Sequence, residues 1–345
     1  MKSKAVKVKK KDAEKLRRFL IKKDIIVSNL KIQKNSDYLY IPIKKVMLNL
    51  DYGHIIEKDF QKIEKKPNSY VNLLKLPEEL MNLLPSSYDV IGDIILIKIP
   101  EDLLSFKYEI GKALLTVNKN IRSICLSNPV SGELRTRETE IIAGEKNTKT
   151  SHVEYGIKFE LDIAKTYFSP RLANERKRVA DQVSNGEIVV DMFTGVAPFP
   201  IYIAKYSYPK IIYAIDKNKD SIYYAKKNII SNQLLDKIEI INADAKEIKY
   251  FLEKDNVKAD RIIMNLPFSS HLFFKKALEI ASKRCLIHYY DILPEIDTEK
   301  RIEFLKNISR ENNFRLIKLK ISKIKTYAPR VFYIGIDITA KKMPM

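Results

Sequence analysis

The chain has 345 residues, 45% of them apolar, and carries 63 Lys and Arg against 43 Asp and Glu, a net charge of +20. That length holds two or three domains. No apolar run reaches membrane-helix length, MKSKAVKVKKKD at the start lacks the apolar core of a signal peptide, and Cys125 and Cys285 are the only cysteines. These features weigh against a membrane, secreted, disulfide-framed or zinc-bound protein and predict a cytoplasmic one with no metal site. A heat-adapted Lys- and Glu-rich surface would sit nearer balance. The excess of base points instead to a polyanionic partner, nucleic acid ahead of an anionic membrane.

Residues 1–25 carry eleven Lys or Arg against three acids. Ala5–Lys9 alternates as a strand, Asp12 is placed to cap a helix running to about Lys23, and Tyr38–Lys44 reads as a second strand. Pro67-Asn68-Ser69 marks a boundary. Leu74–Leu84 reads as a helix between prolines, Tyr88–Ile99 as a strand pair broken at Gly92-Asp93, Glu101–Leu115 as a helix and Ser123–Ser127 as a strand. Ser131–Thr150 is polar, with Arg135 and Arg137 near its start, and shows no clear periodicity. Tyr155–Asp162 alternates as a strand. Ser169-Pro170 fits an N-cap with proline at the first helical position. Arg171, Glu175 and Arg178 follow at helical spacing, which suits either a substrate-handling face or a solvated one with ion pairs.

From Gly186 the pattern becomes an alternation of buried strands and helices. GEIVVDMFTGVAPF is an apolar run ending in Asp191, a short glycine turn, and a helix start at Pro198. Lys210–Asp216 and Lys237–Asp244 are further apolar runs ending in acids, and Arg261–Pro267 ends in Asn265-Leu266-Pro267. Helices are predicted at Lys219–Leu234, His271–Ser282 and Glu295–Asn313. Cys285–Ile292 is a fifth strand, and Phe314–Lys325 with Val331–Thr339 a closing antiparallel pair. The alternation predicts an α/β fold with a parallel sheet, whose ligands sit at the carboxyl ends of the strands. Aspartates there could be helix caps. Three at successive strand ends favour a nucleoside site, with Asp216 accepting from a ribose diol and Asp244 from an exocyclic amine.

DMFTGVAPF at 191–199, Asp216, NADA at 242–245 and NLP at 265–267 resemble the S-adenosylmethionine site of class I methyltransferases. With RTRETEIIAGE at 135–145, DIAKTYFSPRLANERKR at 162–178, LIHYY at 286–290 and YAPR at 327–330, they resemble the archaeal and eukaryotic tRNA (guanine-N1)-methyltransferase family acting at position 37, beside the anticodon. The likeness covers roughly the last two thirds of the chain and is fainter before it. It implies a Rossmann-like methyltransferase domain at 163–345, mostly parallel with an antiparallel last strand. Two smaller α+β domains would precede it: a basic module at 1–66 that tests tRNA shape, and a middle domain at 67–162 whose loop 131–150 reaches the active site.

The resemblance also implies roles. Asp216 would bind the ribose of S-adenosylmethionine, Asp244 and Ala245 the adenine, and Phe193, Gly195 and Lys217 would wall the cofactor, with Arg176 and Asn265 near it. Glu175 would take the N1 proton of guanine while Arg135 faces O6, where negative charge builds. Asn265 would hold the base, and Tyr167, Arg171, Pro267 and Phe268 would contact RNA. No stable protein partner is indicated. Two positions depart from the pattern. Ala197 stands where the family has a second glycine, so its methyl is either tolerated or narrows the pocket. Phe268 follows Pro267 and gives the tetrad a likeness to exocyclic-amine methyltransferases. A cytosine C5 enzyme would need a cysteine nucleophile in the site. Methylation of a tricyclic guanine derivative, transfer of an aminocarboxypropyl group, and a non-catalytic RNA-binding protein are the other readings.

Overall fold

The computed structural model describes residues 1–44, 50, 52–63, 69–131, 136–253 and 257–344. They form two compact units, Met1–Asn72 and Leu73–Met345.

In the first unit, β1 (Lys2–Lys9) is followed by α1 (Lys10–Lys22), β2 (Gln33–Lys34), β3 (Tyr38–Pro42) and β4 (His54–Asp59), paired antiparallel in the order β2-β3-β1-β4. The apolar stripe of α1, Ala13, Leu16 and Leu20, is buried against Val6, Val8, Ile41 and Ile43 of the sheet. Lys9, not Asp12, occupies the N-cap. Asp12 lies in the first turn, where its charge favours the helix dipole without a capping bond.

The second unit opens with α2 (Glu78–Met81), far shorter than the predicted 74–84 helix and preceded by Pro77. β5 (Asp89–Ile91) and β6 (Ile94–Ile97) form the expected hairpin at Gly92, whose φ of +57 and approach to Thr150 require glycine. After α3 (Lys107–Val117), β7 (Ser123–Ser131) and β8 (Thr136–Gly144) complete a four-stranded sheet. Most of the polar stretch predicted as irregular is therefore strand: β8, then β9 (Lys149–Glu154). One of its charges finds partners on α3, where Glu140 accepts from Lys107 Nζ at 2.7 Å and Tyr108 Oη at 2.9 Å. β9 and β10 (Ile157–Asp162) pair around Tyr155-Gly156, both at positive φ, as a two-residue hairpin turn demands.

The largest layer follows: α4 (Ala173–Ala180), β11 (Ile188–Asp191), α5 (Pro198–Tyr206), β12 (Ile211–Asp216), α6 (Lys219–Ser231), β13 (Ile238–Asn242), α7 (Ile248–Glu253), β14 (Ala259–Met264), α8 (Phe274–Ile280), β15 (Ala281–Pro294), α9 (Thr298–Glu311), β16 (Phe314–Ala328) and β17 (Val331–Lys342). Its seven strands run in the order β13-β12-β11-β14-β15-β17-β16. The first five are parallel, and β17 inserts antiparallel between β15 and β16. Apolar side chains fill both faces, Val189, Ile212 and Ile263 on one and Val190, Ile262 and Ile287 on the other. β11 has β12 on one side and β14 on the other, so the chain leaves the sheet in opposite directions beside it and opens a crevice at the strand ends.

Candidate nucleoside site

The crevice is built by the turn after β11. Thr194 N donates to Ile215 O at 2.8 Å, and Gly195, at φ +55, donates to Asp216 Oδ2 at 2.7 Å. The other oxygen of Asp216 accepts from Asn218 N at 2.9 Å. Asp216 is thus fixed by two strand ends at once. Burial pushes its carboxyl upward, against the pull of those two N–H groups. The α6 cap is Asn218, whose side chain accepts from Asp220 and Ser221, so Asp216 is not spent on capping. Asp244 does both tasks: it caps the short turn after β13 through Lys246 N at 2.9 Å and lines the cavity. Asp191 lies behind them, almost fully buried.

Ala197 adopts φ +64, the conformation in which a glycine is cheaper. It does not line the cavity, so its methyl does not narrow it. The cost is in the backbone, which Pro198 at the first helical position helps to fix.

The resulting cavity has a volume of about 340 Å³ and is lined by Tyr167, Arg176, Phe193, Gly195, Asp216, Lys217, Asp244, Ala245, Asn265 and Pro267, a size suited to a small molecule. Every predicted cofactor residue is in this lining. Phe193 stacks edge-on against Phe273, 5.0 Å between centroids. Arg176 is buried, held by Glu154 and by Ser169 O at 2.7 Å, with its guanidinium 4.6 Å from the Phe168 ring. Asn265 Oδ1 accepts from Tyr333 Oη at 2.5 Å. Carboxylates at two strand ends and an aromatic wall suit a ribose and an adenine, and the adjoining buried arginine suits an anionic group.

A second, wider cavity of about 840 Å³ shares Tyr167, Ser169, Pro267 and Ser269 with the first. Lys98, Arg171, Lys325, Phe268 and Tyr327 also line it. Arg171 is half-exposed there, with its Nε paired to Asp89. Phe268 has φ +73, a real outlier for a bulky residue, and its N–H donates to Asp291 Oδ1 at 3.2 Å. Asp291 is fully buried and is itself held by Tyr289 Oη at 2.7 Å and Arg301. The chain thereby holds a half-exposed phenyl ring at the cavity mouth, edge-on to Tyr327 at 5.6 Å.

Glu175 lines neither cavity. It is buried, with Oε1 accepting from Arg178 Nη2 at 2.6 Å and Tyr290 Oη at 2.7 Å, and Oε2 from Arg178 Nε at 2.8 Å. The ion pair expected along this helix exists, but in the interior and not on a solvated face. The Tyr290 ring lies 6.0 Å from that of Tyr333, which bonds Asn265, so one aromatic layer separates Glu175 from the cavity wall. Ser169 makes no side-chain cap; a short turn at Pro170–Leu172 precedes α4. Arg135 lies outside the described residues. Both cysteines are buried, with thiols pushed up by burial, which removes them as nucleophiles. Among the described residues no three His, Cys, Asp or Glu side chains cluster as a metal site.

Sequence reasoning quoted LIHYY at 286–290 as part of the family likeness but gave no role to His288 or Tyr290, and it did not single out Tyr333, Asp291 or Asp337. A signal was present in polar residues interrupting the apolar strands CLIHYYDI and VFYIGIDIT.

The sheet order, with one strand inserted antiparallel near its edge, and the carboxylate-lined crevice beside β11 define a class I S-adenosylmethionine-dependent methyltransferase fold. Family models match along the chain: the TRM5/TYW2 methyltransferase domain over residues 150–317, a TYW2 N-terminal domain over 72–148, and a tRNA methyltransferase 5 N-terminal domain over 5–51. The chain belongs to the TRM5/TYW2 family of methyltransferases. It is 39% identical to the tRNA (guanine(37)-N(1))-methyltransferase Trm5b of Pyrococcus abyssi over 96% of this chain and 98% of that one. It is 35% identical to a tRNA(Phe) (4-demethylwyosine(37)-C(7)) aminocarboxypropyltransferase of Pyrococcus horikoshii, over 78% of this chain and 94% of that one. Among solved structures, a complex of aTrm5 with tRNALeu matches at TM-score 0.83 and 36% identity over 97% and 99% of the two chains. The Methanocaldococcus jannaschii TYW2 complex with AdoMet matches at TM-score 0.58 and 32% identity over 74% and 100%.

Proposed function

We propose that this protein transfers a methyl group from S-adenosylmethionine to N1 of guanine at position 37 of tRNA. The observation that carries the reading is the shared wall of Tyr167, Ser169, Pro267 and Ser269 between a carboxylate-lined cavity and a wider one bearing basic and aromatic side chains. A donor in the first and an unstacked base in the second would meet there, as methyl transfer requires. Near-full-length similarity to a guanine(37)-N1 enzyme supports the same substrate. The aminocarboxypropyl relative spans only 78% of this chain, whereas the similarity to Trm5b extends over 96% of it. That favours methyl transfer.

In this reading Asp216 takes the ribose hydroxyls, Asp244 and the Ala245 backbone the adenine, and Phe193, Gly195 and Lys217 enclose the rest. Arg176 braces the wall. Bound S-adenosylmethionine supplies an activated methyl on a sulfonium. Asn265 and Pro267 orient the base, Phe268, Tyr167 and Arg171 hold the RNA around it, and Glu175 accepts the N1 proton while Arg135 faces O6. For Glu175 to reach that proton, the base must enter past the Tyr290–Tyr333 layer. We keep the three-part division of the chain at 1–66, 67–162 and 163–345, with the first part gripping the tRNA body, and a cytoplasmic location.

Mass analysis of nucleosides from tRNA treated with the protein and S-adenosylmethionine tests this. Guanosine gaining one methyl is expected. A gain of the aminocarboxypropyl group, or methyl only on a tricyclic derivative, would replace the reading.

A further inference from the structure

The guanidinium of Arg178 is held on two sides. It bonds both Glu175 oxygens, and it bonds Asp337 through Nη1 at 2.6 Å and Nη2 at 3.1 Å. Asp337 Oδ1 also meets His288 Nδ1 at 2.7 Å, and His288 Nε2 lies 2.7 Å from Arg261 Nη1. Arg261 is closed off by Glu187 at 2.7 and 3.0 Å and by Gln182 O at 2.6 Å. Arginine only donates, so His288 Nε2 must accept and its proton sits on Nδ1, donated to Asp337. His288 is fully buried, and burial pushes its pKa down, consistent with a neutral ring. One connected chain thus runs from the segment before β11 through β14, β15 and β17 to α4, and ends on Glu175.

The last link has a chemical consequence. Oε1 of Glu175 accepts two hydrogen bonds, from Arg178 and Tyr290, whereas Oε2 accepts one, from Arg178. A carboxylate oxygen has room for two, so Oε2 is the atom with capacity left. We propose that Arg178, braced by Asp337 and His288, is a positioning residue that fixes the Glu175 carboxylate with Oε2 available to take the guanine N1 proton. This rests on the reading of Glu175 as the base. In the step, the N1–H pair becomes the new N1–methyl bond, the sulfonium leaves as a thioether, and the proton ends on Oε2. Arg178 stays paired with Asp337, so no charge is stranded.

The charged and titratable groups facing Glu175 are Arg178 on its own helix and Tyr290 on β15, with Asp337 on β17 and His288 on β15 behind Arg178. Without Arg178, two interior carboxylates face each other with no cation between them. Single-turnover methyl transfer is measured across pH for Arg178→Met, Arg178→Lys and Asp337→Asn in the full-length protein, beside Glu175→Gln. Arg178→Met is expected to slow transfer by roughly tenfold to a hundredfold, part of what a general base supplies. The acidic limb of its profile is expected to move up by about one pH unit, the scale of losing one close charge. Arg178→Lys should recover part of both, with S-adenosylmethionine affinity unchanged within about twofold in every variant. If Arg178→Met does not fold, Asp337→Asn decides: removing the anion that shares Arg178 leaves the guanidinium to Glu175 alone, so the limb must move down. A wild-type rate, or a slowed rate with an unmoved limb, overturns the proposal, because a merely structural pin does not shift the profile. Glu175→Gln at wild-type rate would instead remove the base reading itself.

Discussion

Asp216 lines the crevice and Glu175 lies behind its aromatic wall, and their surroundings assign the two carboxylates different work. Asp216 lines the cavity and is organised by two backbone donors. Asp216→Ala should therefore weaken S-adenosylmethionine binding by about tenfold or more, the loss of a charged hydrogen-bonding partner; an unchanged dissociation constant by calorimetry would contradict it. Glu175→Gln should lower the transfer rate by roughly a hundredfold or more while cofactor affinity survives, because only proton removal is lost. Equal losses in both would contradict it. Asp191 behaves differently again. Burial, with the Asp216 charge adding, pushes its carboxyl up to about 7. A raised folded value means the folded chain resists its ionisation, so the stability it contributes is complete below the ordinary carboxylate range and is lost as pH rises through about 7. Cofactor-free Asp191→Asn should lose less melting temperature than wild type between about pH 6 and about pH 8. Parallel slopes in scanning calorimetry would count against this.

At the scale of elements, the insertion of β17 between β15 and β16 brings Asp337 to Arg178, the ion-pair partner of Glu175. Gly335 pairs with Tyr290 across β15 and β17, and a Cβ there would come within 3.1 Å of Ile324 and 3.2 Å of the Tyr290 ring. Gly335→Ala should cost about 1–3 kcal/mol of stability by overpacking and slow transfer by displacing the Tyr290 hydroxyl from Glu175. Denaturant melts showing wild-type stability would refute the packing account. This element also explains what the sequence made legible. The parallel strands read plainly because both of their faces are buried, and the candidate nucleoside-site carboxylates Asp216 and Asp244 follow because they sit at the ends of those strands. The surroundings of Glu175 did not read, because Arg178 and Asp337 are 159 positions apart and meet only through β17. The polar stretch that became β8 and β9 hid its strands because its charges are satisfied by distant partners, Glu140 by Lys107 and Tyr108 on α3 and Glu145 by Arg122, which no local pattern reveals. Phe268 was singled out as a substrate contact, but its strained backbone depends on buried Asp291 and was not visible.

At the scale of the whole molecule, the charge of +20 predicts a binding equilibrium dominated by phosphates. Raising salt about fourfold should weaken tRNA affinity by roughly tenfold or more, as expected once even a few phosphates are neutralised. Filter binding at several salt concentrations measures this, and a flat dependence would contradict a tRNA-gripping role for the basic surface. The central claim, that the target is guanine at position 37, is tested most directly by transfer of labelled methyl from S-adenosylmethionine to two unmodified tRNA transcripts, one with guanosine at that position and one with adenosine. Label in the guanosine transcript alone is the expected result. Label in both, or in neither, would contradict it.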